Sequence, residues 1–283
     1  MRFFDQLEAR SRAAHSLVCV GLDPDFRKHR VEDVAAFNRA IIESTAEFTA
    51  CYKPNIAFYE QWGIPGLRAL EETLKAIPAG IPVICDAKRG DMGNTAEAYA
   101  RALFESWGFD CATVNGYQGS DAIAPFLAYP EKAVFVLCRT SNPGSREFQE
   151  QRLQDGPLLH RQAALTATSW SPNVGLVVGA TAPAELADVR ALVPQTPLLV
   201  PGVGTQGGKP EDVVRSAGYV PGKIVVNARR SILYAEECAG FARAAAVVGE
   251  FHPGLVGPTW NRAVSLGEEM LHTADVVAVL QLT

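Results

Sequence analysis

Short apolar runs rich in β-branched residues alternate along this chain with longer segments of helical period, the pattern of parallel strand–helix–strand units. The runs are Leu17 to Leu22, Ala50 to Ile56, Pro82 to Cys85, Cys111 to Asn115, Ala133 to Cys138, Val174 to Val178, Pro197 to Val200 and Lys223 to Val226. Each precedes a helical stretch. After the first run, closed by Pro24, the residues Val31, Val34, Phe37, Ile41, Thr45 and Phe48 recur three or four apart and predict one apolar helix face. A leading helix is predicted over Phe3 to Ala14, and an extra C-terminal helix from about Asn261 to Val279.

Eight such units favour an α/β fold of one closed (β/α)8 TIM barrel spanning residues 1–283, with its core at about 15–251 and a C-terminal extension at about 252–283. An open doubly wound sheet is the alternative. It usually has fewer strands and wants a Gly-rich phosphate turn after its first strand, where this chain has Gly21-Leu22-Asp23-Pro24. The longest connection without predicted structure is Ser141 to Pro157, and loops of that length are often functional.

Composition narrows the picture further. Hydrophobic residues make up 48% and charged residues 20%, as in soluble globular proteins. The formal net charge is −5 and no Lys/Arg run forms a basic stripe, so no nucleic-acid partner is expected, and any bound phosphate belongs to a small molecule. The six cysteines include no C-x-x-C pair, and five lie in or beside apolar runs, as small core hydrophobes of a reducing cytosol would. No signal peptide and no membrane span is predicted, which gives a cytoplasmic expectation.

Active sites of such barrels lie at the C-terminal ends of the strands. The residues just after the runs are Asp23, Lys53, Asp86 with Lys88, Asn115, Thr140 with Ser141, Gly179, Gly202 with Gly204, and Asn227 with Arg229 and Arg230. Strand alternation predicts that Asp86 and Lys88 face the barrel mouth together, joined there by Lys53. Asp91 falls in the loop before a helix predicted to begin near Asn94, with Glu97 placed for a capping box. Rim ion pairs and a helix-terminal charge would explain any one of these residues, but alternating charges gathered at one strand-end layer cost desolvation that stability alone does not demand. After the seventh run, Pro201-Gly202-Val203-Gly204-Thr205-Gln206-Gly207-Gly208 supplies backbone N–H groups. The eighth supplies arginines, where barrel enzymes commonly bind phosphate.

With these residues in place, the chain resembles the orotidine 5′-phosphate decarboxylases from Val20-Gly21-Leu22-Asp23-Pro24-Asp25 to Asn227-Ala228-Arg229-Arg230-Ser231-Ile232. The motifs Cys51-Tyr52-Lys53-Pro54-Asn55, Asp86-Ala87-Lys88-Arg89-Gly90-Asp91 and Pro201-Gly202-Val203-Gly204-Thr205-Gln206 match in order, and Thr140-Ser141-Asn142-Pro143-Gly144 looks like the longer bacterial branch. The resemblance implies a catalytic network of Lys53, Asp86, Lys88 and Asp91, with Asp91 entering the site of the other subunit of a homodimer. It implies ribose contacts from Asp23 and Lys53, and from Asp91 and Thr95 to the partner's ligand. Ser141 would bond the pyrimidine, Pro201 would pack near the base, and Gln206 and Arg230 would hold the phosphate. Arg229 departs from the family pattern and leaves open which arginine grips. No metal or organic cofactor is implied.

Two rivals stand beside that reading. Metal-dependent sugar-phosphate lyases, such as hexulose-phosphate synthases and ketogulonate-phosphate decarboxylases, resemble this chain in D-x-K-x-x-D. Those enzymes hold Mg2+ with carboxylates, one of them at the second-strand end, where this chain carries Lys53. A non-catalytic nucleotide-binding barrel is the other, because fold does not settle function.

Overall fold

Each of the eight apolar runs forms a strand of one parallel sheet in the computed structural model, which describes residues 1–204 and 206–234. The strands are β1 Val18–Gly21, β2 Cys51–Lys53, β3 Ile84–Arg89, β4 Cys111–Val114, β5 Ala133–Arg139, β6 Val174–Val178, β7 Leu198–Val200 and β8 Ile224–Ala228. They are ordered β2-β1-β8-β7-β6-β5-β4-β3. The remaining seam, between β2 and β3, is bridged at Tyr52–Val83 and Asn55–Asp86, where the Asp86 N–H donates to Pro54 O at 3.0 Å. The sheet therefore curls into a (β/α)8 barrel and is not an open doubly wound sheet.

The helices are α1 Phe3–Ala14, α2 Val31–Thr45, α3 Ala57–Glu60, α4 Ile64–Ala76, α5 Gly93–Arg101, α6 Ser120–Leu127, α7 Arg146–Gln149, α8 Leu159–Trp170, α9 Pro183–Leu192, α10 Pro210–Ala217 and α11 Arg230–Leu233. The leading helix runs over the predicted residues. The predicted C-terminal helix and Cys238 lie outside the described residues. Two local expectations are corrected. Ser141 to Pro157 carries a 3-10 turn at Pro143–Ser145, then α7 and an antiparallel bridge between Arg152 and Leu158, elements too short to show a period. The capping box at Asn94 and Glu97 does not form. α5 starts one residue earlier at Gly93, whose φ of +57° makes the turn, and no side chain caps it.

Apolar side chains pack in two shells. The larger one fills the space between the sheet and its helices. The smaller fills the barrel itself, with Cys19, Cys51, Ile84, Cys111, Phe135, Val177, Leu199 and Val225 pointing inward. α1 closes the lower end of that inner shell. Phe3 and Leu7 are fully buried in it, the Phe3 N–H donates to Glu131 O at 2.8 Å, and the Phe3 and Phe4 rings meet Phe135 edge-on. The inner shell sets the height of the site, because side chains on one strand face repeat every second residue. Two residues above Cys51, Cys111, Phe135 and Val225 stand Lys53, Thr113, Leu137 and Asn227, the first layer of the mouth. Among the described residues no helix is long and apolar enough to cross a membrane.

Candidate active site

A cavity of about 510 Å³ opens at the C-terminal ends of the strands, the size of a small-ligand pocket. It brings together Asp23, Lys53, Asp86, Lys88, Ser141, Pro201, Gln206 and Arg230, eight of the residues singled out from sequence. Asp91 and Thr95 do not line it. The Asp91 carboxylate accepts from its own Met92 N–H at 2.9 Å, and Thr95 is exposed on α5.

Asp86 is the centre of the arrangement. Its Oδ2 meets Lys53 Nζ at 2.8 Å, and its Oδ1 meets Lys88 Nζ at 2.5 Å. The Thr113 hydroxyl donates to Oδ1 at 3.0 Å and the Asn55 amide approaches Oδ2 at 3.4 Å. Burial pushes this carboxyl up, but Lys53 and then Lys88 outweigh burial and hold it well below the usual carboxylate range. Lys53 is only 3% exposed, and burial would drive off its proton. Asp86 and Asp23 reverse that tendency and raise it above the ordinary lysine value. The Lys88 side chain, by contrast, is 48% exposed and reaches over the open cavity.

Lys88 reaches the mouth by a route that strand alternation does not describe. Between the β3–β4 partners Cys85–Ala112 and Arg89–Val114, β3 takes four residue steps where β4 takes two. The surplus makes a bulge, and Lys88 sits in it with a φ of +47°, in the left-handed region. A residue carrying a Cβ costs roughly 1–3 kcal/mol there. Asp86 and Lys88 thus share the cavity because of the bulge and not because of the pleat.

Asp23 is held beside this centre by different contacts. It accepts the Asn55 N–H at 2.8 Å and faces Arg229 at 3.5 Å, and burial pushes its carboxyl up against the pull of Lys53 and Arg229. The Arg229 guanidinium also lies 4.8 Å from the centre of the Phe58 ring. Arg230 is exposed on the cavity wall, and its side chain has no hydrogen-bonded or ionic partner among the described residues. On the opposite rim the Ser141 hydroxyl donates to Gln206 Oε1 at 2.9 Å. Gly202, with a φ of +97°, passes close beneath Ser141, and a Cβ on it would lie 3.2 Å from that of Ser141.

Several lining residues have no counterpart among the sequence candidates. Thr113 is a lone hydroxyl inside a buried strand, and its place two residues above inward-facing Cys111 is a usable signal. Asn55 follows Lys53 on the same strand face. Gln149 joins the wall from α7, accepting the Thr140 N–H at 2.7 Å, and nothing in its local pattern announces that contact. Behind it Arg139, 4% exposed, pairs with Glu150 at 2.6 Å and ties the loop after β5 to its strand.

Comparison with known proteins agrees with this geometry. The sequence model of the Orotidine 5'-phosphate decarboxylase / HUMPS family matches residues 16–245. The orotidine 5'-phosphate decarboxylase of Herpetosiphon aurantiacus is 46% identical over 257 residues, 88% of this chain and 95% of its own length. Among solved structures, the OMP decarboxylase of Leishmania donovani superposes with a TM-score of 0.79 at 41% identity, covering 90% of this chain and 97% of that one. The UMP synthase of Leishmania donovani superposes with a TM-score of 0.81 at 42% identity over 89% of this chain, which spans 56% of that longer protein. A match over most of the barrel, together with a lysine–aspartate–lysine centre at its mouth, places this chain in the Orotidine 5'-phosphate decarboxylase / HUMPS family.

Proposed function

We propose that the chain decarboxylates orotidine 5′-phosphate to uridine 5′-phosphate in pyrimidine synthesis, with Lys88 as proton donor and without metal or organic cofactor. The observation that carries this reading is the Asp86 carboxylate, held ionised between two ammonium groups with one of them overhanging the cavity. Breaking the bond from C6 to the departing CO2 leaves an electron pair on a ring carbon that has no electron sink. The protein must meet that charge. Lys88 does so, then gives its proton to C6 and is reprotonated from water. One ammonium about 4 Å from a unit negative charge contributes roughly 4 kcal/mol at an effective dielectric of about 20. Enzymes lower barriers by roughly 8–23 kcal/mol, so contacts far from C6 have to supply much of the rest.

Those remote contacts belong to Asp23 and Lys53 at the ribose, Ser141 at the pyrimidine, Pro201 beside the base, and Gln206 with Arg230 at the phosphate. Arg229 is already engaged by Asp23 and Phe58, which favours Arg230 as the phosphate arginine. Because Ser141 occupies the Gln206 carbonyl, the Gln206 amide N–H groups are left to donate to an anion. Asp91 and Thr95 stand outside the cavity of their own chain, which fits a homodimer in which they serve the neighbour's ligand. A metal-dependent lyase would need carboxylates free to ligate. Here Asp86 is engaged by two ammoniums and a hydroxyl, and a lysine holds the second-strand position.

Purified protein is expected to consume orotidylate, followed by its ultraviolet absorbance, at the same rate with and without EDTA. Turnover that vanishes with EDTA and returns with Mg2+ would overturn the metal-free reading. Lys88→Ala is expected to lower kcat by about 10⁴-fold or more, the combined worth of proton transfer and charge stabilisation, while uridine 5′-phosphate still binds. Substantial residual turnover would remove Lys88 from its role. Arg230→Ala should lose about 10²-fold or more in kcat/KM, the worth of charge-assisted phosphate bonds, and added guanidinium ion should restore part of it. Kinetics like those of the parent would move the phosphate elsewhere.

The charge centre also makes a stability prediction. Asp86→Asn removes the ion-pair partner of the buried Lys53, leaving Asp23 alone to offset its charge, and should destabilise the fold by about 3–5 kcal/mol at pH 7. Since the folded Asp86 carboxyl titrates below its unfolded value of about 3.9, its contribution is complete above that pH and is lost as pH falls toward the folded value. Urea unfolding of the two proteins should therefore differ most at neutral pH and converge below about pH 4. A gap independent of pH would mean that the Asp86 charge is not its source.

A further inference from the structure

Lys88 combines two features that pull against each other. Its side chain is about half exposed, with Asp86 as its ion-pair partner, while its backbone is held in a conformation that side-chain-bearing residues rarely adopt. Something must hold that backbone. The Lys88 N–H donates to the Thr113 hydroxyl at 3.0 Å, and the same hydroxyl donates its proton to Asp86 Oδ1, also at 3.0 Å. Asp86 Oδ1 in turn receives Lys88 Nζ at 2.5 Å. One oxygen atom thus ties the main chain of Lys88 to the carboxylate that holds its ammonium, and the lysine is gripped at both ends.

Thr113 is suited to that task in three respects. It is 1% exposed, so water does not compete for its hydroxyl. It lies on β4 opposite the bulge, between Ala112, which pairs with Cys85, and Val114, which pairs with Arg89. As a β-branched residue in a strand it has few χ1 choices, so its oxygen stays aimed at the gap in the ladder. Without it the Lys88 N–H would have no acceptor in a place where the β3–β4 ladder is interrupted.

We propose that Thr113 is a positioning residue for Lys88: its hydroxyl locks the left-handed turn that lifts the ammonium over the cavity, and orients Asp86 at the same time. The proposal rests on the reading of Lys88 as proton donor. Thr113 acts through the aim of the lysine, by its bonds to the Lys88 main chain and to Asp86. Its loss therefore lowers the rate of the chemical step and leaves ground-state nucleotide binding alone.

The test compares Thr113→Val, which keeps the shape and removes the hydroxyl, with Thr113→Ser, which keeps the hydroxyl. With the fold checked by thermal melting, Thr113→Val is expected to lose about 10²-fold in kcat, the scale of a small misplacement of a reacting group, with uridine 5′-phosphate affinity unchanged. Thr113→Ser is expected to restore most of that loss. Thr113→Ala, which removes the same oxygen and relieves any crowding, should show the same split if the valine variant fails to fold. An unchanged kcat in a folded valine or alanine variant overturns the proposal. So does a parallel loss of kcat and nucleotide affinity that serine does not repair, since that is the mark of a merely structural residue. Lys88→Ala measured alongside separates the two readings. If it turns over, the proton-donor assignment fails. If it is inactive while Thr113→Val matches the parent, only the positioning role falls.

Discussion

Lys53 keeps its charge at 3% exposure because the Asp86 carboxylate lies 2.8 Å from its ammonium, and much of the barrel mouth follows from that pair. A buried ammonium without a counterion would lose its proton or unfold its surroundings. The pair joins the two strands that the sheet ladders leave apart, since Lys53 ends β2 and Asp86 belongs to β3. The seam closed by two isolated bridges is also closed by an ion pair. Asp23 then has a cation beside it, Asn55 acquires two carboxylates to face, and Lys88 finds an anion already fixed in place. Desolvation makes this arrangement costly to fold, and a buried ion pair is weak evidence for stability. Its presence at the mouth, where the substrate would sit, is accordingly better explained by chemistry than by folding.

The lower half of the barrel makes that cost tolerable. Below the charged layer the interior is apolar, and α1 seals it with Phe3 and Leu7. The two halves are separated by a single pleat period, from Cys51 to Lys53 and from Cys111 to Thr113. A core confined to the bottom and a site confined to the top let loops after the strands carry specificity without disturbing the packing beneath them. The loop after β5 follows this rule: Arg139, buried at its root, pairs with Glu150, and Gln149 holds Thr140 next to Ser141.

The sequence was most informative where a physical rule has few exceptions. All eight strands, the leading helix and the closed order of units could be read because apolar periodicity and β-branching report burial directly. That Lys53, Asp86, Asp23 and Arg230 gather at one cavity was legible because the barrel fixes where strand ends point. What stayed hidden depended on departures from regularity. The bulge in β3 has no local signature in Asp86-Ala87-Lys88-Arg89, and only pairing with β4 reveals that two residues are surplus. The short helices inside Ser141 to Pro157 are below the length at which a period is visible, and the start of α5 was decided by Gly93 and not by Asn94. Gln149 reaches Thr140 through a fold of the loop that no spacing predicts.

Alternation placed Asp86 and Lys88 on one face, and they do share one cavity, but for a different reason that bears on function. On a regular strand the two side chains would stand roughly parallel, some 6–7 Å apart at their roots, and each would be as rigid as the sheet. In the bulge the chain turns at Lys88, and the ammonium folds back onto the carboxylate while keeping one side open to the cavity. A strand that obeyed the pleat would offer a fixed ion pair. A strand that breaks it offers an ammonium anchored through one contact and free to meet a second negative charge, which is what a proton donor to a carbanion requires on the proposed reading. The irregularity that sequence patterning could not express is thus what sets the half-exposed Lys88 side chain over the cavity, whereas Lys53, on the regular part of its strand, is buried beside the same carboxylate.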